Sequence, residues 1–176
     1  MIMSRTNWYF EGWKKQGGRW EYHGVRYRFQ AEESALHKLK ACYGAAALAM
    51  ILIWLVCSVL WGVGKETSAY VGAPWFLQIL PFMYLIMGVY GILRSGYDMT
   101  YRDLRAGFFR IRIAKWVLLI LQAASVIGEL VFLILYHSVL PVSEEILFMA
   151  GACLCILCTA VLLFLQYRYP PYQIPE

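Results

Sequence analysis

Charged residues are scarce in this chain: Asp, Glu, Lys and Arg make up 15% of its 176 residues, whereas 61% are hydrophobic. In a typical soluble domain about a quarter of the residues are charged. Three long segments have no charged residue and a fourth contains only Glu129; they are residues 41–64, 67–93, 146–167 and 116–143. Because about 20 apolar residues in a helix cross a bilayer core, the sequence predicts four spans, at about 41–62, 74–93, 115–137 and 145–167.

Motifs of the common enzyme and cofactor-binding classes are also lacking. There is no Walker loop, no Rossmann glycine pattern, no H-E-x-x-H and no Ser-His-Asp constellation. The three histidines are scattered, at positions 23, 37 and 137, so no zinc site is expected. Four spans with their connections use almost the whole chain. We therefore expect a protein that is not an enzyme and that holds no cofactor or metal.

The expected fold is all-α, a four-helix transmembrane bundle. The first apolar run begins only at Ala41, too far along the chain for a signal peptide, so we expect a retained first span. Its helix is expected to run without interruption from about Glu32 to Trp61. The expected organisation is a basic and aromatic juxtamembrane segment at 1–40, a four-span domain at 41–167 and a tail at 168–176.

Positive charge is distributed unevenly between the ends of the spans. Residues 1–40 contain eight Lys or Arg and residues 94–115 contain six, whereas the other two loops contain only Lys65. Lys and Arg accumulate in the loops that stay in the cytoplasm. The sequence thus predicts a multi-pass protein of the cell membrane with both termini and the central loop in the cytoplasm. The two outer loops are short, roughly 62–73 and 138–144.

The N-terminal segment mixes aromatic and basic side chains. Turns are expected at Gly17-Gly18 and at His23-Gly24, and the loose alternation over residues 19–29 is typical of a small β-hairpin. An isolated hairpin is marginal in water, so the membrane or the cytoplasmic loop would have to support it. We interpret the segment either as a docking arm for a protein or an anionic lipid, or as a juxtamembrane anchor. No nucleic-acid partner is expected, because a membrane interface already explains these residues.

The central loop contains a basic amphipathic pattern. Thr100 and Asp103 form a capping-box-like start, and apolar residues follow at helical spacing. The other faces carry four arginines, Arg102, Arg105, Arg110 and Arg112. The pattern predicts a helix between the second and third spans that lies on the cytoplasmic leaflet or extends the third span. These arginines either contact an anionic lipid or a protein partner, or serve only to orient the span.

Polar side chains form a stripe within the third predicted span. Gln122 and Ser125 precede Glu129 by seven and four residues, so the three share one helical face. Gln78 on the second span and Ser58 on the first are possible partners. An ionised carboxylate near mid-membrane costs roughly 3 kcal/mol. Glu129 is thus either a protonated structural carboxyl or the proton or cation site of a small carrier.

Cysteines cluster in the fourth span, where Cys155 and Cys158 form a C-x-x-C after Cys153. This arrangement resembles that of the membrane thiol oxidases related to vitamin K epoxide reductase, which also have four core spans and a C-x-x-C on the last span. That family also needs a cysteine pair in the first outer loop, and residues 62–73 contain none. The resemblance implies a membrane thiol oxidoreductase that uses Cys155 and Cys158.

Two further features concern helix packing. Small residues recur at helical spacing and would allow close approach within the bundle or between copies in a homo-oligomer; they are Ala41, Ala45 and Ala49, Gly88 and Gly91, and Ala124 and Gly128. Pro81 is expected to kink the second span.

The leading hypothesis is a non-enzymatic small membrane subunit or scaffold whose basic face meets lipid or a partner. The alternatives are the proton-coupled carrier and the thiol oxidoreductase.

Overall fold

The computed structural model describes residues 13–30, 33–62, 69–136 and 142–174. Over these residues the protein is mostly helical, and four helical segments are long and apolar enough to cross a membrane: Ser34–Val59, Val71–Arg94, Tyr101–Leu135 and Glu145–Arg168. The prediction of four such helices is confirmed. Most of the two expected outer loops, at 63–68 and 137–141, and the first twelve residues of the juxtamembrane segment lie outside the described residues.

The four long segments comprise six helices. The first is α1 (Glu33–Gly62), continuous as expected, and the second is divided into α2 (Ala69–Leu77) and α3 (Ile79–Arg94). The third contains α4 (Tyr101–Leu104), a π-helical turn (Arg105–Phe109) and α5 (Arg110–Tyr136), and the fourth is α6 (Val142–Arg168). Helix α6 packs against α1 and α5, and α3 packs against α5 and α1, which closes the bundle.

The division of the second span has a local chemical cause. Proline has no N–H, so Pro81 cannot donate to the Leu77 carbonyl, and its ring crowds that carbonyl. The Gln78 N–H bonds instead to the Trp75 carbonyl at 3.3 Å, and the helix resumes where the Phe82 N–H meets the Gln78 carbonyl at 3.0 Å. The kink expected from Pro81 is therefore present as a break between two helices, with Gln78 at the break.

Apolar side chains cover both the interior and the exterior of the bundle. The interior contains large buried residues such as Trp75, Met50 and Leu85, and the exterior exposes others such as Leu80 and Ile120. A soluble protein rarely exposes so continuous an apolar surface, whereas lipid tails are as apolar as leucine. This distribution accords with four helices that are apolar enough to cross a membrane.

Glycines allow the second and third spans to approach each other closely. A Cβ atom at Gly88 would lie 2.8 Å from the Ile111 Cγ1, and one at Gly91 would lie 3.0 Å from the Ala106 carbonyl oxygen. Both distances are too short for a side chain, so Gly88 and Gly91 are used inside the bundle. Ala41, Ala45 and Ala124, by contrast, are on its exposed surface.

Within the part of the chain that the structure describes, five short strands lie outside the helices. Strands β1 (Trp13–Gln16) and β2 (Arg19–Tyr22) form a hairpin. Strand β3 (Arg26–Phe29) is the centre of an antiparallel sheet, with β4 (Met99–Thr100) on one side and β5 (Pro171–Gln173) on the other. One sheet thus joins the N-terminal segment, the central loop and the chain that follows α6.

The hairpin differs from the one expected over residues 19–29. Its turn is at Gly17 and Gly18, where φ is 56° and 84°, and positive φ at both central positions suits a two-residue hairpin turn. The pairing expected between the β2 and β3 segments was wrong. Both edges of β3 are instead occupied by β4 and β5, which supply main-chain partners from distant parts of the chain.

Candidate functional site

Helix α5 directs a row of polar side chains into the bundle. Lys115, Gln122 and Glu129 are spaced by seven residues, and Ser125 lies between the last two; all four are at most 4% exposed. Seven residues are close to two helical turns, so these side chains share the inward face. They lie in three groups, each of which is bonded differently.

The middle group joins three helices around Gln122. The Thr159 hydroxyl on α6 donates to Gln122 Oε1 at 2.9 Å, and Gln122 Nε2 lies 3.5 Å from the Sδ of Met50 on α1. Thr159 Oγ1 also lies 3.0 Å from the Cys155 carbonyl oxygen. Both polar ends of Gln122 are therefore engaged within the apolar interior, where hydrogen bonds are electrostatically stronger than in water.

The second group contains a buried cation. Lys115 Nζ donates to Gln166 Oε1 on α6, and Gln166 Nε2 donates to the Phe108 carbonyl at 3.2 Å. Sequence reasoning counted Lys115 among the cytoplasmic charges and overlooked Gln166. The pair could have been predicted from spacing. Gln166 follows Thr159 by seven residues on α6, and Gln122 follows Lys115 by seven residues on α5, so two polar residues on each helix share a face.

The third group lies at the break in the second span. Gln78 Nε2 donates to Ser125 Oγ at 3.4 Å, and the Ser125 hydroxyl donates to the Leu121 carbonyl at 2.9 Å. No group among the described residues donates to Gln78 Oε1, although the side chain is fully buried. Glu129, also fully buried, follows Ser125 by one turn, which places their Cβ atoms about 6 Å apart.

Ser58 is bonded to two tryptophans. It accepts a hydrogen bond from Trp75 Nε1 at 2.8 Å and donates to the Trp54 carbonyl at 2.7 Å. Trp54 Nε1 in turn donates to the Trp75 carbonyl at 3.2 Å. The ring of Trp75 meets Phe148 edge-on, with centroids 4.7 Å apart. This cluster attaches α2 to α1 and α6 directly beside the break at Gln78.

The cysteines of the C-x-x-C are separate free thiols. Cys155 is buried, with its Sγ 3.6 Å from the Met50 carbonyl oxygen, and Cys158 is half-buried. Cys153 is exposed on the other side of α6. The structure therefore gives Cys155 a packing contact with α1 and brings no second cysteine pair to it among the described residues.

The basic pattern of the central loop is the beginning of the third span. Thr100 Oγ1 accepts from the Asp103 N–H at 3.3 Å while Asp103 Oδ2 accepts from the Thr100 N–H at 3.2 Å, a capping box. Helix then continues without a gap to Tyr136, so the amphipathic helix extends the third span rather than lying apart from it. Leu104, Phe108 and Ile111 are buried, and the arginines lie on the other faces.

The four arginines differ in their surroundings. Arg102, Arg105 and Arg112 are exposed. The Arg110 side chain is half-buried, and its guanidinium lies 5.9 Å from the centre of the Tyr84 ring on α3. The exposed side chains Phe109 and Trp116 lie beside these arginines on the same helix. We call the exposed trio Arg102, Arg105 and Arg112 the arginine face.

Charged contacts also attach the sheet and the central loop to the bundle. The Arg28 guanidinium in β3 bonds to Asp98, which precedes β4, and this hydrogen bond raises the pKa of Arg28 above its ordinary value. The same guanidinium lies 4.3 Å from the centre of the Tyr97 ring. Lys40 Nζ on α1 donates to the Ser95 carbonyl at the C-terminus of α3, where a cation is electrostatically favourable.

No family model matches this chain, and neither the curated proteins nor the solved structures contain a match to it. Within the described residues no group of three or more His, Cys, Asp or Glu side chains could hold a metal ion. Function must therefore be argued from the arginine face and from the buried polar groups.

Proposed function

We propose that the protein is a four-span membrane protein, with both termini and the central loop in the cytoplasm, that acts without enzymatic chemistry as a small membrane subunit or interaction protein. The arrangement of the sheet supports a common side for both termini and the central loop, and the concentration of Lys and Arg there favours the cytoplasm. Strands β3, β4 and β5 come from before the first span, between the second and third, and after the fourth. The three strands can lie on one side of a membrane only if the chain crosses that membrane an even number of times between one strand and the next.

The observation that carries the proposal is the arginine face at the beginning of the third span. Arg102, Arg105 and Arg112 are exposed at the end of the bundle that carries the sheet, and Trp116 and Ile120 follow on the exposed surface of α5. A helix that passes from lipid headgroups into hydrocarbon presents its side chains in this order: guanidinium groups first, then a tryptophan, then aliphatic side chains. Each basic residue near an anionic surface contributes about 1 kcal/mol.

The sheet provides the second part of the proposed interaction surface. Helices α1, α3 and α6 all end or begin beside it. Arg28 attaches the sheet to the central loop, and Lys40 attaches α1 to the start of the same loop. Basic side chains of the β1–β2 hairpin are exposed on the same segment, among them Lys14, Lys15 and Arg19. A protein partner with an acidic surface would therefore meet positive charge on both the hairpin and the arginine face.

The experiment is a comparison of wild type with a variant in which the arginine face is replaced, Arg102→Gln, Arg105→Gln and Arg112→Gln. Each protein is extracted in mild detergent, and its stoichiometric partners and retained lipids are identified by native mass spectrometry. We expect the variant to lose the bound partner or anionic lipid, with a larger loss at low salt. Arg168→Gln, which removes an exposed arginine from α6, is the control and should behave as wild type. Unchanged association in the triple variant would mean that these arginines only orient the span.

A small proton-coupled carrier is the second candidate, favoured by the full burial of Glu129 beside the helix break at Gln78. Intramembrane acids and interrupted helices are common features of transport sites. The test is pH-driven proton flux into proteoliposomes. Flux that is lost in Glu129→Gln, with the melting temperature unchanged, would support a carrier. Flux no greater than in protein-free liposomes, or equal flux in both proteins, would exclude this mechanism.

A further inference from the structure

Three oxygen-bearing side chains lie at or near the break in the second span. Gln78 lies at the break between α2 and α3, Ser125 accepts a hydrogen bond from its amide, and Glu129 lies one turn beyond Ser125 on α5. All three are fully buried. Trp75, one turn before Gln78, contacts Phe148 on α6, and Glu145, a second buried carboxyl, lies one turn before Phe148. We call these three side chains the break cluster.

One acceptor of the break cluster, Gln78 Oε1, has no donor among the described residues. The only hydroxyl proton of Ser125 is donated to the Leu121 carbonyl, so it is not available to Gln78 Oε1. A buried acceptor without a donor costs about 1–3 kcal/mol, and such an atom in a folded protein calls for an explanation such as a water or an ion.

The two tryptophan N–H donors of the adjacent Ser58 cluster are already engaged. Trp75 Nε1 donates to Ser58, and Trp54 Nε1 donates to the Trp75 carbonyl. The buried cation of the bundle, Lys115, lies fourteen residues before Glu129, which is about 21 Å along the helix axis, and it bonds to Gln166. The donor or cation that would satisfy Gln78 Oε1 is therefore not supplied by these side chains.

We propose that the break cluster binds a small monovalent cation, either a proton or Na⁺. In the proton form, the Glu129 carboxyl O–H donates to Gln78 Oε1; in the sodium form, the carboxylate, Gln78 Oε1 and Ser125 Oγ are ligands, which suits a hard cation. The inference rests on the bilayer placement proposed above, and it names the ligands for the carrier candidate without requiring transport.

The test is thermal unfolding in detergent, followed by tryptophan fluorescence, of wild type, Gln78→Met and Glu129→Gln. Each is measured in NaCl and in choline chloride of equal ionic strength, between pH 5 and pH 9. Gln78→Met keeps the length of the side chain and removes the acceptor. Thr159→Val is the matched control, because it removes the separate hydrogen bond to Gln122 and leaves the break cluster intact.

For a sodium site we expect NaCl to raise the wild-type melting temperature by about 3 °C or more relative to choline chloride. For a proton site we expect no sodium effect, and a melting temperature that rises as pH falls. Either response should disappear in Glu129→Gln and weaken in Gln78→Met, and it should persist in Thr159→Val. The pH response is assigned to Glu129 only by its difference from Glu129→Gln, because Glu145 on the adjacent α6 is a second buried carboxyl.

Three outcomes would overturn the site. They are a wild-type melting temperature that responds to neither cation, a response that persists in Glu129→Gln, and a Gln78→Met protein that is stabilised equally under all conditions. The last would mean that Gln78 Oε1 is only an unfavourable buried acceptor. None of these results bears on the association of the arginine face with lipid or partner, which is measured separately, so the two proposals can fail independently.

Discussion

Arg28 and Asp98 are 70 positions apart in the chain, yet the Arg28 Nε and Nη2 both donate to Asp98 Oδ1, at 2.9 Å and 2.6 Å. The pair joins β3, from the N-terminal segment, to the loop that precedes β4. It thereby connects two segments that the first and second spans separate in sequence. The sheet is a consequence of the folded bundle, because only the bundle brings these segments to the same end.

The first prediction concerns this pair. Asp98→Asn should loosen the β3–β4 pairing and speed amide hydrogen exchange in residues 26–29 several-fold, since the ionic hydrogen bond is lost. The bundle should be little affected, because exposed ion pairs contribute little to global stability. Hydrogen–deuterium exchange with mass spectrometry measures both regions at once. Lys38→Gln, which removes an exposed charge from α1 and touches no strand of the sheet, is the control; equal exchange in wild type and Asp98→Asn would contradict the prediction.

The second prediction concerns orientation. A cysteine at position 68 or 143 should react with a membrane-impermeant maleimide added from outside intact cells, and one at the exposed Gly96 should react only after permeabilisation. The two exposed native cysteines, Cys42 and Cys153, are replaced first. Labelling of position 96 in intact cells would reverse the proposed orientation.

The third prediction concerns the buried pair of Lys115 and Gln166. Gln166→Leu leaves a buried ammonium without its acceptor, so we expect it to destabilise the protein by about 1.5–3 kcal/mol. Lys115→Met removes the charge, and in that background Gln166→Leu should cost much less. A double-mutant cycle of unfolding free energies measures the difference as a coupling energy. Additive costs would show that the two side chains do not support each other.

The fourth prediction concerns close packing between α3 and α5. Gly88→Ala places a Cβ atom 2.8 Å from Ile111 Cγ1 and 3.0 Å from the Ile111 backbone nitrogen, so we expect about 1–3 kcal/mol of destabilisation. Gly44 in α1 is the matched control, because a Cβ there meets nothing within 4 Å. Gly44→Ala should be neutral or stabilising by up to about 1 kcal/mol, since alanine favours helix. The comparison is made by thermal unfolding in the same detergent, and equal effects would contradict the packing described.

Features that depend on short stretches of chain were predictable from the sequence. The four apolar helices follow from the length of charge-free segments, and the break at Gln78 follows from the chemistry of Pro81. The capping box of Thr100 and Asp103 and the burial of one face of the helix after it also follow from local spacing. In each case the residues that cause the structure lie within a few turns of it.

The tertiary structure alone decided which distant segments meet. Periodicity placed Gln122, Ser125 and Glu129 on one face of α5, but it could not choose Thr159 as the partner of Gln122 or bring Gln78 to Ser125. The charge count placed Lys115 among the cytoplasmic residues, but only the packing of α6 supplies Gln166 as its partner. Such pairings depend on the relative rotation and register of whole helices, which are set by packing over their full length. A pattern within one helix has no access to that information.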